Sequence, residues 1–478
     1  MASRDPQRPN IVMIMADDLG PWALGCAGNP EIRTPNIDQM AAEGMRFTDF
    51  YCASPVCSPA RASLLTGQMP SAHGVHDWLG AGHTGAEGLD YLAGQRLYTD
   101  DLADAGYRLG LVGKWHLGAN DRPRPGFVHW LAHRSGAGRY YDAPLYDQDG
   151  PVAAPGYVTD VLSDAAAEFI ADEAAAPEPF YLSLHYTAPH SPWKGHHPKE
   201  YTDLYQDCPF DSLPQEAPHP WVPIVDGRLI GGEADTRAAL EGYFAAVTAM
   251  DAGIGRVLAT LARHDLDEHT VVIFTSDNGF SCGQRGIWGK GNATFPQNMY
   301  DESVKVPFIA RQPGHIPAGV LSDALVSAYD FAPTVRDLAG APPATDESLP
   351  GRSFYPVLMG QEPRDPQERV VVFDEYGPVR MIRTREHKYV HRYPYGPHEL
   401  YDLTADPGER ENLIDSAQAD ALCADLGGQM EAWFRAHSRP GTDGRVLPVS
   451  GYGQTDTVEA GFAAFPPTPQ FNTVPRYS

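Results

Sequence analysis

Two apolar runs without alternation anchor the pattern of this chain. Ile11 to Ala16 (IVMIMA) and Thr270 to Ser276 (TVVIFTS) each read as a strand buried on both faces, the form parallel sheets take. Each run ends abruptly in oxygen-bearing side chains, Asp17-Asp18-Leu19-Gly20 and Asp277-Asn278-Gly279. Two further short strands are predicted at Arg108–Val112 and Phe180–His185 (FYLSLH), and His185 reads as a structural residue of its strand. Helical periodicity fills the intervals. Thr34–Gly44 has Thr34 as cap and Pro35 in the first turn, Leu97–Gly106 and Asp160–Asp172 follow, Ala234–His264 holds one or two long helices, and Ser327–Leu338 is another. The alternation predicts an α/β fold, a large mixed and mostly parallel sheet flanked by helices, over residues 8–362.

The grammar changes after Glu368. Short alternating strands at Val370–Phe373, Val379–Thr384 and His387–His391, then Glu399–Leu403, precede a helix over about Ala417–Ala436. A smaller C-terminal antiparallel sheet plus helix is expected over residues 363–439, and residues 440–478 form an irregular tail. Rich in Gly, Pro, Thr and aromatics, that tail is expected to wrap the body or a neighbouring subunit or to be partly disordered, and a homo-oligomer through the tail is a candidate assembly. A Pro-rich, aromatic excursion from Trp193 to Ile230 lacks periodicity, and such loops tend to carry specificity.

Net charge changes what the chain can bind. The 478 residues carry −26, which argues against nucleic acid and anionic membrane as partners. The six cysteines are scattered without a disulfide-rich spacing. No stretch reads as a transmembrane helix, and the polar start lacks the apolar core of a signal peptide. The sequence as given reads as cytoplasmic, and as secreted or periplasmic if a leader was removed.

The chemistry concentrates in Ser54–Gly67 (SPVCSPARASLLTG). Pro55, Ser58 and Pro59 suit a helix start, which places Cys57 at the N-terminus, where unpaired N–H groups favour an anion. Arg61 lies one turn on and returns to the same face. The pattern C-x-P-x-R followed by Leu65-Thr66-Gly67 resembles the signature of type I, formylglycine-dependent sulfatases of the alkaline phosphatase superfamily. Gly113-Lys114-Trp115-His116-Leu117-Gly118, Pro189-His190-Ser191-Pro192, Trp288-Gly289-Lys290 and Tyr300–Pro307 resemble further motifs of that family, in the same order. Asp301 and Lys305 depart mildly from it. The resemblance covers about residues 8–436.

The resemblance implies a sulfatase whose nucleophile is formylglycine made from Cys57 by a separate formylglycine-generating enzyme. It implies a divalent cation held by Asp17, Asp18, Asp277, Asn278 and the modified Cys57. An oxygen-rich set with three carboxylates suits Ca2+ ahead of Mg2+, and zinc is not indicated. Arg61 and Lys114 are expected to fix the nucleophile. Lys114, His190 and Lys290 would neutralise charge on the sulfate and leaving group, with His190 or Lys290 as proton donor. His116 is expected to act as base in the second step. A positive pocket within a negative shell follows from these side chains.

The expected substrate is a small sulfated mono- or oligosaccharide. His76, Asp77 and Trp78, with His73 before them, are candidate rim residues for substrate binding, as are His196 and His197. Alternatives are an aryl or choline sulfatase, a phosphonate monoester or phosphodiester hydrolase of the same superfamily, and a silent binder of sulfated glycans. The last would have lost the cysteine, the arginine or a metal ligand, and none is missing.

Overall fold

The computed structural model describes residues 8–225, 228–229, 235–362, 372–417 and 419–466. The strand Asn10–Ala16 lies at the centre of an eleven-stranded sheet. It pairs in parallel with Thr270–Ser276 on one side and Phe180–His185 on the other. Arg108–Lys114 and Phe127–His133 continue the parallel block, while Lys305–Arg311 joins Thr270–Ser276 antiparallel. Every residue of the central strand is buried. Ile11, Met13 and Met15 enter one apolar core, and Val12, Ile14 and Ala16 enter the core on the other face. That is why the run shows no polar alternation: neither face meets water.

The register sets up the site. Asn10 pairs with Thr270 and Ala16 with Ser276, so Asp17 and Asp277 leave the sheet at the same level. The Asp277 amide donates to the Ala16 carbonyl at 3.2 Å and the Asp17 amide to that of Ala188 at 3.0 Å, which holds both exits in place. His185 pairs with Met15 and Gly113 on the neighbouring strands, one level below.

One helix, Thr236–Arg263, fills the stretch for which one or two were expected; Ala234 lies outside the described residues. By length and composition it is apolar enough to cross a bilayer, contrary to the sequence reading that no stretch is. Yet 72% of its most apolar window is buried inside the fold, and it serves as a core helix. The Trp193–Ile230 excursion is described to Val225. Trp193, Tyr205, Phe210 and Leu213 are buried in the core against that helix, so much of its aromatic content is packing.

The C-terminal part is a four-stranded antiparallel sheet, Val372–Tyr376, Val379–Arg383, His387–Arg392 and Glu399–Asp402, with the helix Ala419–His437 packed on it. Val370 and the expected boundary at 363 lie outside the described residues. The sheet is bonded to the body through polar groups. Buried Glu375 accepts from the Ser71 amide and hydroxyl at 2.9 and 2.6 Å and from Arg380 Nε at 3.0 Å. Arg285 reaches across to the Gly408 and Glu409 carbonyls at 2.5 and 2.8 Å. Tail residues up to 466 hydrogen-bond to the body of their own chain, one of the placements expected for them.

Candidate active site

The helix Cys57–Thr66 begins where the chain stops being extended at Val56, and all ten of its residues are buried. Pro59 sits in its first turn, where a missing N–H costs no intrahelical bond. Its N-terminus abuts the two strand ends. The Cys57 thiol donates to Asp17 Oδ1 at 3.2 Å, and Asp18 Oδ1 lies 3.8 Å from the sulfur. Lys290 Nζ is 2.7 Å from the sulfur and also bonds Asp18. Lys114 Nζ pairs with Asp17 Oδ2 at 2.6 Å, and Arg61 Nε with Asp277 Oδ2 at 2.9 Å. Three carboxylates thus meet three fixed cations in a deeply buried cluster, where unpaired charges would be costly.

Ligand atoms of Asp17, Asp18, Cys57 and Asp277 all lie within 4.8 Å of one another. Asn278 joins them through its Nδ2, which donates to Asp18 Oδ1 at 2.8 Å. Its Oδ1 is buried with no hydrogen-bond partner. An orphaned amide oxygen beside three buried carboxylates fits a hard divalent cation, which takes oxygen ligands and would satisfy that atom. Of the five residues expected at the metal, four thus have ligand atoms close together, and Asn278 adjoins them through its bond to Asp18.

Electrostatics divide the carboxylates. Burial pushes the Asp17 carboxyl up, more than Lys114 pulls it down. Burial also works against the Asp18 anion, but Lys290 and His190 outweigh it and hold the group below the usual range. Asp277 is held low by Arg61, Lys114 and Lys290 despite its burial. Burial, with Asp17 and Asp277 adding to it, drives the Cys57 thiol well above its ordinary value. An unmodified Cys57 is therefore a protonated thiol and a poor nucleophile.

The two histidines are poised differently. His116 Nε2 faces the Leu79 carbonyl at 2.8 Å, and a carbonyl only accepts, so Nε2 carries the proton. Its Nδ1 is buried without a partner and keeps a free lone pair. Burial and then Lys114 push His116 well below the usual imidazole range, so the ring is neutral. Its backbone is left-handed, φ 56°, as is that of Asp18, φ 66°, a strain that side-chain placement at functional sites often carries. His190 donates Nδ1–H to the Ser191 carbonyl at 2.8 Å and turns Nε2 toward Asp18 Oδ2, 3.6 Å away. Its side chain is 19% exposed, against 0% for Lys114, which puts it at the open side.

The candidate rim residues are elsewhere. His76 and Asp77 are fully buried. His76 Nε2 donates to the Thr442 carbonyl at 2.9 Å, while Asp77 accepts from Tyr376 Oη at 2.5 Å and from the Gly453 amide at 2.9 Å. Trp78, half-buried, donates its indole N–H to the Gly451 carbonyl at 3.0 Å. All three fasten the tail, which corrects their assignment to substrate binding. His73 is buried on Ser63 Oγ, and His197 on Tyr157 Oη, each at 2.9 Å. His185, expected to be structural, donates Nδ1–H to the Lys114 carbonyl at 3.1 Å beside the Arg61 guanidinium, which donates to the same oxygen at 3.1 Å.

Comparisons with known proteins point to one family. The Sulfatase family model matches residues 9–341, and the model described as N-sulphoglucosamine sulphohydrolase, C-terminal, matches residues 294–435. An N-acetylglucosamine-6-O-sulfatase of Bacteroides thetaiotaomicron is 28% identical, over 87% of this chain and 84% of its own. An ulvan-active sulfatase of Formosa agariphila is 30% identical, over 88% and 80%. A solved structure, described as in complex with its substrate D-glucosamine-2-N,6-O-disulfate, superposes with a TM-score of 0.77 at 26% identity, covering 90% of this chain and 98% of the other.

Proposed function

The chain belongs to the sulfatase family and is a sulfuric ester hydrolase, and on that premise we propose that its substrate is a small sulfated carbohydrate. We further propose that it works through formylglycine made from Cys57 and a divalent cation, calcium ahead of magnesium. The convergence of Asp17, Asp18, Cys57 and Asp277 within 4.8 Å, braced by Lys114, Lys290 and Arg61, carries the reading. The carbohydrate assignment draws on the relatives named for N-acetylglucosamine 6-sulfate and ulvan.

When bound, the cation supplies Lewis acidity and the formylglycine supplies a hydroxyl nucleophile; Asp17, Asp18, Asp277 and Asn278 would hold the cation. Lys290 and Lys114 place positive charge where negative charge builds on the sulfate oxygens. Arg61 pins Asp277 and the Lys114 carbonyl, so nucleophile and cations keep one geometry. His190 delivers the proton from Nε2 to the leaving oxygen, since its Nδ1–H is committed to Ser191. His116 takes a proton at Nδ1 in the second step, the one ring nitrogen with a free lone pair.

The test is direct. The mass of the tryptic peptide containing Cys57 reports conversion, and the converted protein is assayed on N-acetylglucosamine 6-sulfate, 4-nitrophenyl sulfate, choline sulfate and a phenylphosphonate monoester. Turnover of the sulfated sugar with the highest kcat/KM is expected. A preference for the phosphonate would overturn the substrate assignment and favour the related hydrolase.

A further inference from the structure

Residues after 435 lie beyond both matched family models, yet the segment 449–454 reaches back to the loops behind the catalytic groups. The Gly451 carbonyl accepts two bonds, from Trp78 Nε1 at 3.0 Å and from Asn292 Nδ2 at 3.3 Å. Trp78 precedes Leu79, whose carbonyl holds His116. Asn292 stands two residues after Lys290, whose Nζ touches the Cys57 sulfur. One peptide oxygen of the tail thus joins the supports of two groups that act in the site.

The rest of the segment reinforces the same loop. The Gln454 amide donates to the Trp78 carbonyl at 2.8 Å. Its side chain, fully buried, accepts from the His76 amide at 2.8 Å and donates to the Gly74 carbonyl at 3.1 Å. Gln297 Nε2 donates to the Val449 carbonyl at 3.1 Å on the Lys290 side. The fit is close: at Gly451, φ 86°, a Cβ would stand 2.9 Å from Asn292 Cβ.

We propose that the strap of residues 449–454 is a positioning element for hydrolysis, fixing the Leu79 carbonyl that orients His116 and the turn that carries Lys290. The proposal rests on the roles given to His116 and Lys290 under the proposed function. Without the strap, the 74–80 loop has lost the bonds from Gly453, Gln454 and Gly451 that hold it, and His116 loses a fixed acceptor for its Nε2–H. A loosened ring presents Nδ1 to the site for less of the time, and a loosened Lys290 offsets less of the charge that builds in the transition state. The signature is a fall in kcat with KM nearly constant.

The experiment uses the full converted chain with Trp78→Phe, Asn292→Ala and the double variant, each removing a donor to the Gly451 carbonyl. Val446→Ser, on an exposed residue of the same tail, is the control. Amide hydrogen exchange is followed over residues 74–80 and 288–293, and kcat and KM are measured on the best sulfate ester of the wild type. The double variant is expected to lose about tenfold or more in kcat with KM within about threefold, since small misplacements of catalytic groups are costly. Exchange should quicken in both segments at a melting temperature near that of the wild type. Unchanged exchange overturns the proposal, as does quickened exchange with unchanged kcat, or a loss carried by KM. If the wild type turns over no sulfate ester, the functional reading fails by itself, and the exchange arm still decides whether the strap holds the two loops.

Discussion

Gly113→Ala tests whether strand packing sets the catalytic geometry. Gly113 lies on the strand Arg108–Lys114, opposite His185, with φ 112°. A Cβ built there would stand 1.9 Å from the His185 carbonyl oxygen, a backbone atom in the sheet that has no rotamer to change. The strands must part by roughly 1 Å to admit it, an overpacking strain of about 1–3 kcal/mol. The left-handed backbone adds about 1–2 kcal/mol. The next residue is Lys114, whose Nζ is 2.6 Å from Asp17 and whose carbonyl receives both Arg61 and His185. Moving that carbonyl by 1 Å shifts three site residues at once, and displacements of that size cost about a hundredfold in rate. Urea unfolding should therefore show a loss of about 2–5 kcal/mol with an unchanged slope, and kcat/KM should fall by about two orders of magnitude. If the variant stays within threefold in kcat/KM and loses under about 1 kcal/mol, the strand contact does not set the geometry and the argument is wrong.

Chelation should lower the melting temperature and calcium restore it, because a cation that binds only the folded state stabilises it by about 2.7 kcal/mol at a hundred times its Kd. No shift with calcium or magnesium would remove the cation from Asp17, Asp18, Asp277 and Asn278. His116→Ala should release leaving group normally in the first turnover and then slow by about 10²-fold or more, as expected on losing a general base; equal burst and steady-state rates to the wild type would assign the base elsewhere. Acid stability carries its own sign. Burial pushes His133 down to about 4 and His197 to about 3, from 6.5 when unfolded. The unfolded chain then takes up protons first as pH falls. Their contribution is complete above about pH 6.5 and is lost toward pH 4, at about 1.4 kcal/mol per unit for each ring. Urea midpoints between pH 7 and 4.5 should show that slope, flatter in His197→Phe; an equal slope in that variant would clear His197 of the effect.

The catalytic centre was legible because strand ends are local features. Asp17-Asp18 and Asp277-Asn278 each follow a run that must be buried, and parallel pairing of two such runs puts their ends side by side. Cys57 and Arg61 are one helical turn apart, so their common face follows from spacing alone.

The misplaced rim residues show a different limit. A polar or aromatic residue after a signature helix looks available for a ligand until its hydrogen-bonding groups are accounted for. The indole N–H of Trp78 is taken up 373 positions later by Gly451, and the carboxylate of Asp77 by Gly453, 376 positions away. Buried polar groups must find partners, but nothing local says which distant peptide will supply them. The tail's lack of period follows from the same fact. Its described residues, up to 466, follow the contours of loops already in place and form two short 3-10 helices, Gly444–Val446 and Val458–Ala464, so their spacing mostly reflects the surface they cover.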